Sequence, residues 1–105
     1  MDNFPEKRLR LQVILEHLMH SRNVYFQPPE DCKMKYPCIV YDLATFEPNH
    51  ADNRVHHRHT KWTLTLIDPD SESPFLDALA DLPMCNHDRR YVADHLYHDM
   101  FTLYY

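Results

Sequence analysis

Glycine is absent from this 105-residue chain, where average usage of about 7% gives roughly seven in a protein of this size. Phosphate-cradling loops and dinucleotide-binding turns need glycine so that backbone N–H groups can approach the anion closely. Both kinds of site are therefore excluded. Turns must be built from Asn, Asp and the 8 prolines, which stiffens the loops. A basic surplus is missing too: 11 Lys and Arg stand against 16 Asp and Glu, a formal charge of −5 with histidine neutral. Proteins that grip a phosphate backbone normally present a basic face, so sequence-specific nucleic-acid binding is not expected. No apolar run approaches the ~18 residues of a membrane span, and Met1 to Glu6 lacks the positive-then-apolar order of a secretory signal. The three cysteines, Cys32, Cys38 and Cys85, are odd in number. With no signal, that favours reduced thiols in a cytosolic setting.

What is present suits packing. An apolar content of 44% and a charged content of 26% are ordinary for a globular protein, and the length predicts one domain over 1–105. Such a chain buries roughly 60–70% of its unfolded surface, enough for one modest core. The 9 histidines make the surface charge reverse sign somewhere below neutral pH if they are exposed.

The first element is a helix from about Pro5 to His20, with Leu11, Ile14, Leu15 and Leu18 spaced for one buried face. Asn3 and Glu6 resemble a capping box, and Pro5 fits the first turn. A short strand, Val24–Gln27, is closed by Pro28-Pro29, and a second runs from about Pro37 to Leu43. There Ile39 and Tyr41 point one way and Cys38 and Val40 the other, so both faces read as buried. Ala44–Asn53 reads as a long polar loop. A third strand spans about Arg54–Ile67, where Trp62, Leu64 and Leu66 alternate with polar residues. Its first half, through His59, is polar on both faces and is expected to project as a ribbon. Ser73 and Pro74 open a short helix burying Phe75, Leu76, Leu79 and Leu82. From about His87 the chain reads as two strands around an Ala93-Asp94 turn. The order α-β-β-β-α-β-β predicts an α+β domain, an antiparallel sheet packed by two helices.

Candidate chemistry is sparse. His57 and His59 share a strand face and can offer two nitrogen ligands to zinc or nickel, with His50 and Asp52 the nearest further donors. Arg58 between them opposes a metal, and a polar ribbon is the plainer reading. Cys32, Cys38, Cys85 and His87 lack the close pairing of structural zinc motifs, and Cys38 sits in an apolar strand. A Cys85–His87 or Cys85–His95 pair has nothing nearby that would lower a thiol pKa. Asp68, Asp70 and Glu72 could hold a divalent cation, but Asp-Pro-Asp-Ser is first of all turn chemistry. No catalytic residue, metal site or cofactor is therefore assigned. Tyr104-Tyr105 divides between core and partner surface, since tyrosine is enriched at interfaces.

The stretches Leu11–Leu18, Asn23-Val-Tyr-Phe-Gln-Pro-Pro29 and Tyr36-Pro-Cys-Ile-Val-Tyr41, with Asp88-Arg-Arg-Tyr-Val-Ala-Asp-His-Leu-Tyr-His98 and the strand-like terminus, resemble tail terminator proteins of long-tailed bacteriophages. These are also called tail-completion or tail-to-head joining proteins. The resemblance implies an α+β subunit that forms a homo-oligomeric ring, expected to be a hexamer, in the virion neck. Such a ring caps the tail tube, stops its polymerisation and offers a surface to the head–tail connector or stopper, with DNA passing through it. It implies no catalytic residues. Within such a ring the expected partner-contacting residues are Glu47, Pro48, Asn49, His50, Ala51, Asp52 and Asn53 of the loop, His57 and His59 of the ribbon, and Tyr104 and Tyr105. A head-completion adaptor or stopper of the same neck is the alternative. A small metal-binding module or hydrolase using His57, His59 and the cysteines is a third reading, from another class.

Overall fold

The amphipathic stripe at the start of the chain forms α1 (Phe4–Met19), and Leu11, Leu15 and Met19 on successive turns are its buried residues. The computed structural model describes residues 4–45 and 60–105. Ile14 and Leu18 are only half-buried, so the contact stripe lies slightly rotated from the expected one. Leu9 and Val13 face outward, 53% and 63% exposed. Leu15 is fully buried, and its replacement by alanine should cost ~2–5 kcal/mol. The helix ends on His20, whose φ is 54°. Ser21 N–H returns to the Glu16 carbonyl at 3.2 Å, a closing bond of the kind that usually has glycine at the left-handed position. Asn3, half of the expected capping box, lies outside the described residues.

Among the described residues five strands form one sheet. They are β1 (Val24–Phe26), β2 (Cys38–Thr45), β3 (Lys61–Asp68), β4 (Cys85–Ala93) and β5 (Leu96–Tyr104), with α2 (Phe75–Ala80) between β3 and β4. Their spatial order is β1-β2-β3-β5-β4. The element order is the expected one, and the architecture is α+β. All strand pairs are antiparallel except β1 with β2, which run parallel. The exception corrects the expectation of a wholly antiparallel sheet. A tight turn can join only antiparallel neighbours. Here the segment 27–37, stiffened by Pro28-Pro29, carries the chain back, so that β2 starts beside the start of β1. Asn23 fixes that register from both ends: its carbonyl accepts Ile39 N–H at 3.0 Å, and its amide donates to the Pro37 carbonyl at 3.3 Å.

Both helices pack on one face of the sheet. Ile39 and Tyr41, then Trp62, Leu64 and Leu66, then Phe101 and Leu103 form the sheet side of the core, with Leu11, Leu15 and Leu79 opposite. Period-2 alternation in β3 put these residues on one side, as its sequence pattern predicts. At the end nearest the α1 N-terminus the core is aromatic: Phe4 stacks on Trp62 at 5.6 Å, and Tyr41 and Phe26 lean on the same indole at 5.8 and 6.1 Å. The Tyr41 hydroxyl accepts from Arg8 Nη1 at 3.2 Å and donates to Gln12 Oε1, while Gln12 Nε2 donates to the Val24 carbonyl at 3.0 Å. A polar seam thus locks α1 to β1 and β2.

The opposite face is only partly covered. Cys38 is fully buried there and Ile67 nearly so. The segment 27–37 crosses this face, since Lys35 N–H donates to Tyr25 Oη at 3.1 Å. Val40, Thr63, Thr65, Met100 and Thr102 are half-buried. The doubly apolar start of β2 is therefore satisfied largely by the chain's own proline loop, and by itself requires no second chain.

Turns without glycine use other residues in the left-handed region. His20, Gln27, Met84, Asp94 and His95 all have positive φ. The last two, at 53° and 62°, form the two-residue hairpin turn between β4 and β5, one residue later than the sequence suggested. Such turns need φ > 0 at both central positions, and Asp and His are among the side chains that tolerate it best. Ser73 sits at the start of α2 as expected, its Oγ accepting Phe75 N–H at 3.3 Å.

Candidate functional site

The β4–β5 hairpin carries the most organised polar group of the described residues. Asp99 of β5 pairs directly across the ladder with Arg90 of β4 and is only 2% exposed. Its Oδ1 accepts Arg90 Nε at 2.9 Å and its Oδ2 accepts Arg90 Nη2 at 3.0 Å. His87 Nε2 lies 2.9 Å from the same Oδ1. Burial alone would raise the Asp99 pKa, but the hydrogen bonds and charge of Arg90, helped by His87, overcome it and hold the carboxyl below the usual aspartate value. Arg90 answers in kind, its pKa raised by the Asp99 hydrogen bond. The same guanidinium donates from Nη2 to the Ser71 carbonyl at 2.8 Å and lies over the Tyr97 ring at 5.1 Å. One arginine therefore ties the hairpin to the turn before α2.

A β-bulge brings His87 into this group. The β4–β5 register slips between His87 and Arg89, so His87 and Arg90 point to the same face although three residues apart. His87 then meets Phe101 edge-on at 5.0 Å. The displaced Asp88 instead accepts from Thr102 Oγ1 at 2.5 Å. On the opposite face Arg89 lies over Tyr91 at 5.2 Å, and Tyr91 stacks on His98 at 4.6 Å.

Beside the ion pair runs an open groove of about 610 Å³. Phe101, Leu76 and Ala80 give it an apolar floor and wall, His87 and Arg90 line one side, and Glu72 and Asp77 stand on its rim. Both rim residues are exposed. Among the described residues neither rim carboxylate has a cation partner. The neighbouring carboxylates serve the backbone: Asp68 Oδ1 accepts Asp70 N–H at 2.8 Å, and Asp70 Oδ1 accepts Glu72 N–H at 2.9 Å. That is the turn chemistry read from Asp-Pro-Asp-Ser.

The thiols are poorly set for nucleophilic or ligand chemistry. Cys38 and Cys85 are buried. Burial, then Asp68 and Cys32, pushes the Cys38 thiol up to about 12, and burial with Asp88 pushes Cys85 up to about 11. Both are protonated at neutral pH, whereas the thiolate is the reactive and metal-binding form. Among the described residues, no group of three or more His, Cys, Asp or Glu side chains is placed to hold a metal ion.

Of the sequence-predicted contact residues, Glu47, Pro48, Asn49, His50, Ala51, Asp52, Asn53, His57 and His59 lie outside the described residues. The terminal pair divides. Tyr105 packs against the core, and its backbone exchanges two hydrogen bonds with Thr60, at 2.8 and 2.9 Å. Tyr104 is 37% exposed and faces away from the core, beside Lys61 in the ladder. Sequence reading missed Asp99 and Arg90 altogether. A cross-strand signal was available, because a two-residue turn at Asp94-His95 sets Arg90 opposite Asp99 by counting outward. No protein-family model, curated protein or solved structure matches the chain.

Proposed function

We propose that this chain is a non-enzymatic structural subunit that assembles into a homo-oligomeric ring, of the kind formed by phage tail terminators. Such a ring, expected to be a hexamer, would cap the tail tube in the virion neck, stop its polymerisation and present the surface that joins the head connector. The observation that carries the reading is the β4 edge. This 9-residue strand ends the sheet with β5 as its single neighbour among the described residues, where Asn86 through Val92 are all exposed. A ring of copies would cover this edge and the groove beside it at every position, through contacts that need not extend the sheet. The groove lies beside that edge, with His87 and Arg90 of β4 in its lining. The motif resemblance supplies the identity of the ring.

Native mass spectrometry, alone and with tail tubes of the same phage type, tests it. The expected result is a closed ring, formed free or on the tube end, and tubes of capped length. A protein that stays monomeric and leaves tube growth unchanged refutes the proposal. Deleting residues 47–53 should leave the fold intact while impairing ring formation or head attachment, and head-attached tails of normal length from that deletion would remove the loop from the interface.

A further inference from the structure

We infer that the groove between α2 and β4–β5 receives the basic, histidine-bearing segment 54–59 of a second copy of this chain. The inference deepens the ring reading and rests on it, because it names which surface meets which segment.

The groove has the character of a side-chain acceptor. Its floor is apolar at Phe101 and Leu76, and its rim carries Glu72 and Asp77, neither holding a cation among the described residues. Its one built-in cation, Arg90, is already spent on Asp99 in bidentate geometry. The groove therefore presents apolar surface edged by uncompensated negative charge. That arrangement suits a cationic side chain whose aliphatic stem lies on the floor while its head reaches the rim. Arginine and histidine fit best, since both also stack on aromatic faces.

The chain contains one segment complementary to this. Between Asp52 and Asp68 there is no acidic residue, and within that span fall Arg54, His56, His57, Arg58 and His59. Other acid-free stretches carry fewer cations: 17–29 holds His17, His20 and Arg22, and 32–41 holds Lys33 and Lys35, while Arg8 lies over Phe26 and bonds Tyr41, and Arg90 is paired with Asp99. The complementarity is between two parts of one sequence, which is what a head-to-tail interface in a homo-oligomer requires. The groove is also continuous with the exposed β4 edge through His87 and Arg90.

The test separates this contact from the ring itself. A synthetic peptide of residues 52–61 is titrated into the full-length variant R54E/R58E, whose own segment cannot compete, and NMR follows Leu76, His87 and Phe101. The expected result is saturable shifts at these residues, with affinity at least tenfold weaker when E72K/D77K is added to the protein and weaker again as salt rises. In native mass titrations of the full chain, R54E/R58E and E72K/D77K should each raise the half-assembly concentration at least tenfold. The combined variant should recover assembly, because reversed charges again face opposite ones. A peptide that leaves the groove resonances unmoved, or single reversals that assemble like the unmodified chain, overturns the inference while leaving the ring standing. Groove shifts in a protein that never oligomerises overturn the contact between copies as well as the ring, because the segment then reaches the groove within one chain. Circular dichroism of E72K/D77K checks folding, and R54E/R58E, which leaves the residues of α2 and the hairpin unchanged, gives the same test through a separate variant.

Discussion

Replacing Asp99 by asparagine keeps the side-chain shape but removes the charge that organises the hairpin. The carboxylate accepts three contacts of 2.9–3.0 Å, two from Arg90 and one from His87. An amide offers one oxygen, and its NH₂ must face a guanidinium N–H. The bidentate bond and the ion pair are lost together. Hydrogen bonds to charged groups contribute ~1.5–3 kcal/mol each, and breaking a fully buried pair costs ~3–5 kcal/mol. Asp99 itself is buried, but the Arg90 side chain is 33% exposed, so water can solvate the abandoned guanidinium. That places the loss at ~2–3 kcal/mol, toward the lower bound. For a domain of this size ~1 kcal/mol moves Tm by ~4–8 °C, so D99N should melt roughly 10–20 °C lower.

The pH dependence gives the argument a second handle. Because Arg90 and His87 hold the folded-state pKa of Asp99 below the usual value of 3.8, the folded state prefers the ionised carboxyl. Its contribution is fully present above the ordinary aspartate range and is lost as pH falls through the lowered folded value. The stability gap between the unmodified chain and D99N should therefore be present above the ordinary aspartate range and close under more acidic conditions. Urea unfolding at a series of pH values measures it. A gap below ~0.5 kcal/mol at pH 7, or one that persists undiminished below both pKa values, would show that the ion pair does not secure the hairpin.

Three further expectations rest on independent features. His95→Gly should stabilise the protein by ~0.5–1 kcal/mol in thermal unfolding, since relief of a left-handed residue at φ 62° outweighs the extra unfolded-state entropy of glycine; a lower Tm would contradict the turn assignment. Trp62 is fully buried and its Nε1–H finds no acceptor among the described residues, so Trp62→Phe should fall within ~1 kcal/mol of the unmodified chain because the lost volume is offset by removal of that donor, whereas Trp62→Ala should cost ~3–5 kcal/mol. Cys38 and Cys85, protonated and buried, should resist thiol labelling at pH 8 until the protein unfolds, while half-buried Cys32 reacts first; rapid native-state labelling of Cys38 would place its thiol outside the core.

Local patterns carried most of the fold. The spacing of Leu11 and Leu15, the alternation of Trp62, Leu64 and Leu66, and the Ser73-Pro74 start each draw on interactions within a few residues, so one sequence suffices to read them. The parallel pairing of β1 with β2 was hidden because it depends on where the segment 27–37 travels, and no residue in Val24–Phe26 encodes strand direction. The rotation of α1 was hidden for a similar reason: Met19 displaced Ile14 from the contact stripe once the helix met the sheet. The groove was the least legible feature. Arg90 and Asp99 become partners only when the turn is set at Asp94-His95 rather than Ala93-Asp94, and His87 joins them only through a bulge that alternation cannot foresee.

That bulge also bears on how copies of the chain can meet. A smooth edge strand is a promiscuous template, and proteins commonly defend such edges with bulges and charges. β4 has both: the register break after His87, and Asp88, Arg89 and Arg90 in succession. Each of these charges is engaged within the hairpin itself, Asp88 with Thr102, Arg89 over Tyr91 and Arg90 with Asp99. Backbone pairing along β4 is thus interrupted near its middle, and the charges next to the break are not free to recruit a partner. What remains open beside the edge is the groove, with its apolar floor and with rim carboxylates that have no cation partner among the described residues. An edge defended in this way shifts recognition from backbone hydrogen bonds, which any strand can make, to side-chain complementarity, which only a suitable segment can satisfy. The proposed ring would have to close with one geometry and not grow into a sheet, and a blunted edge beside a selective groove would favour that outcome.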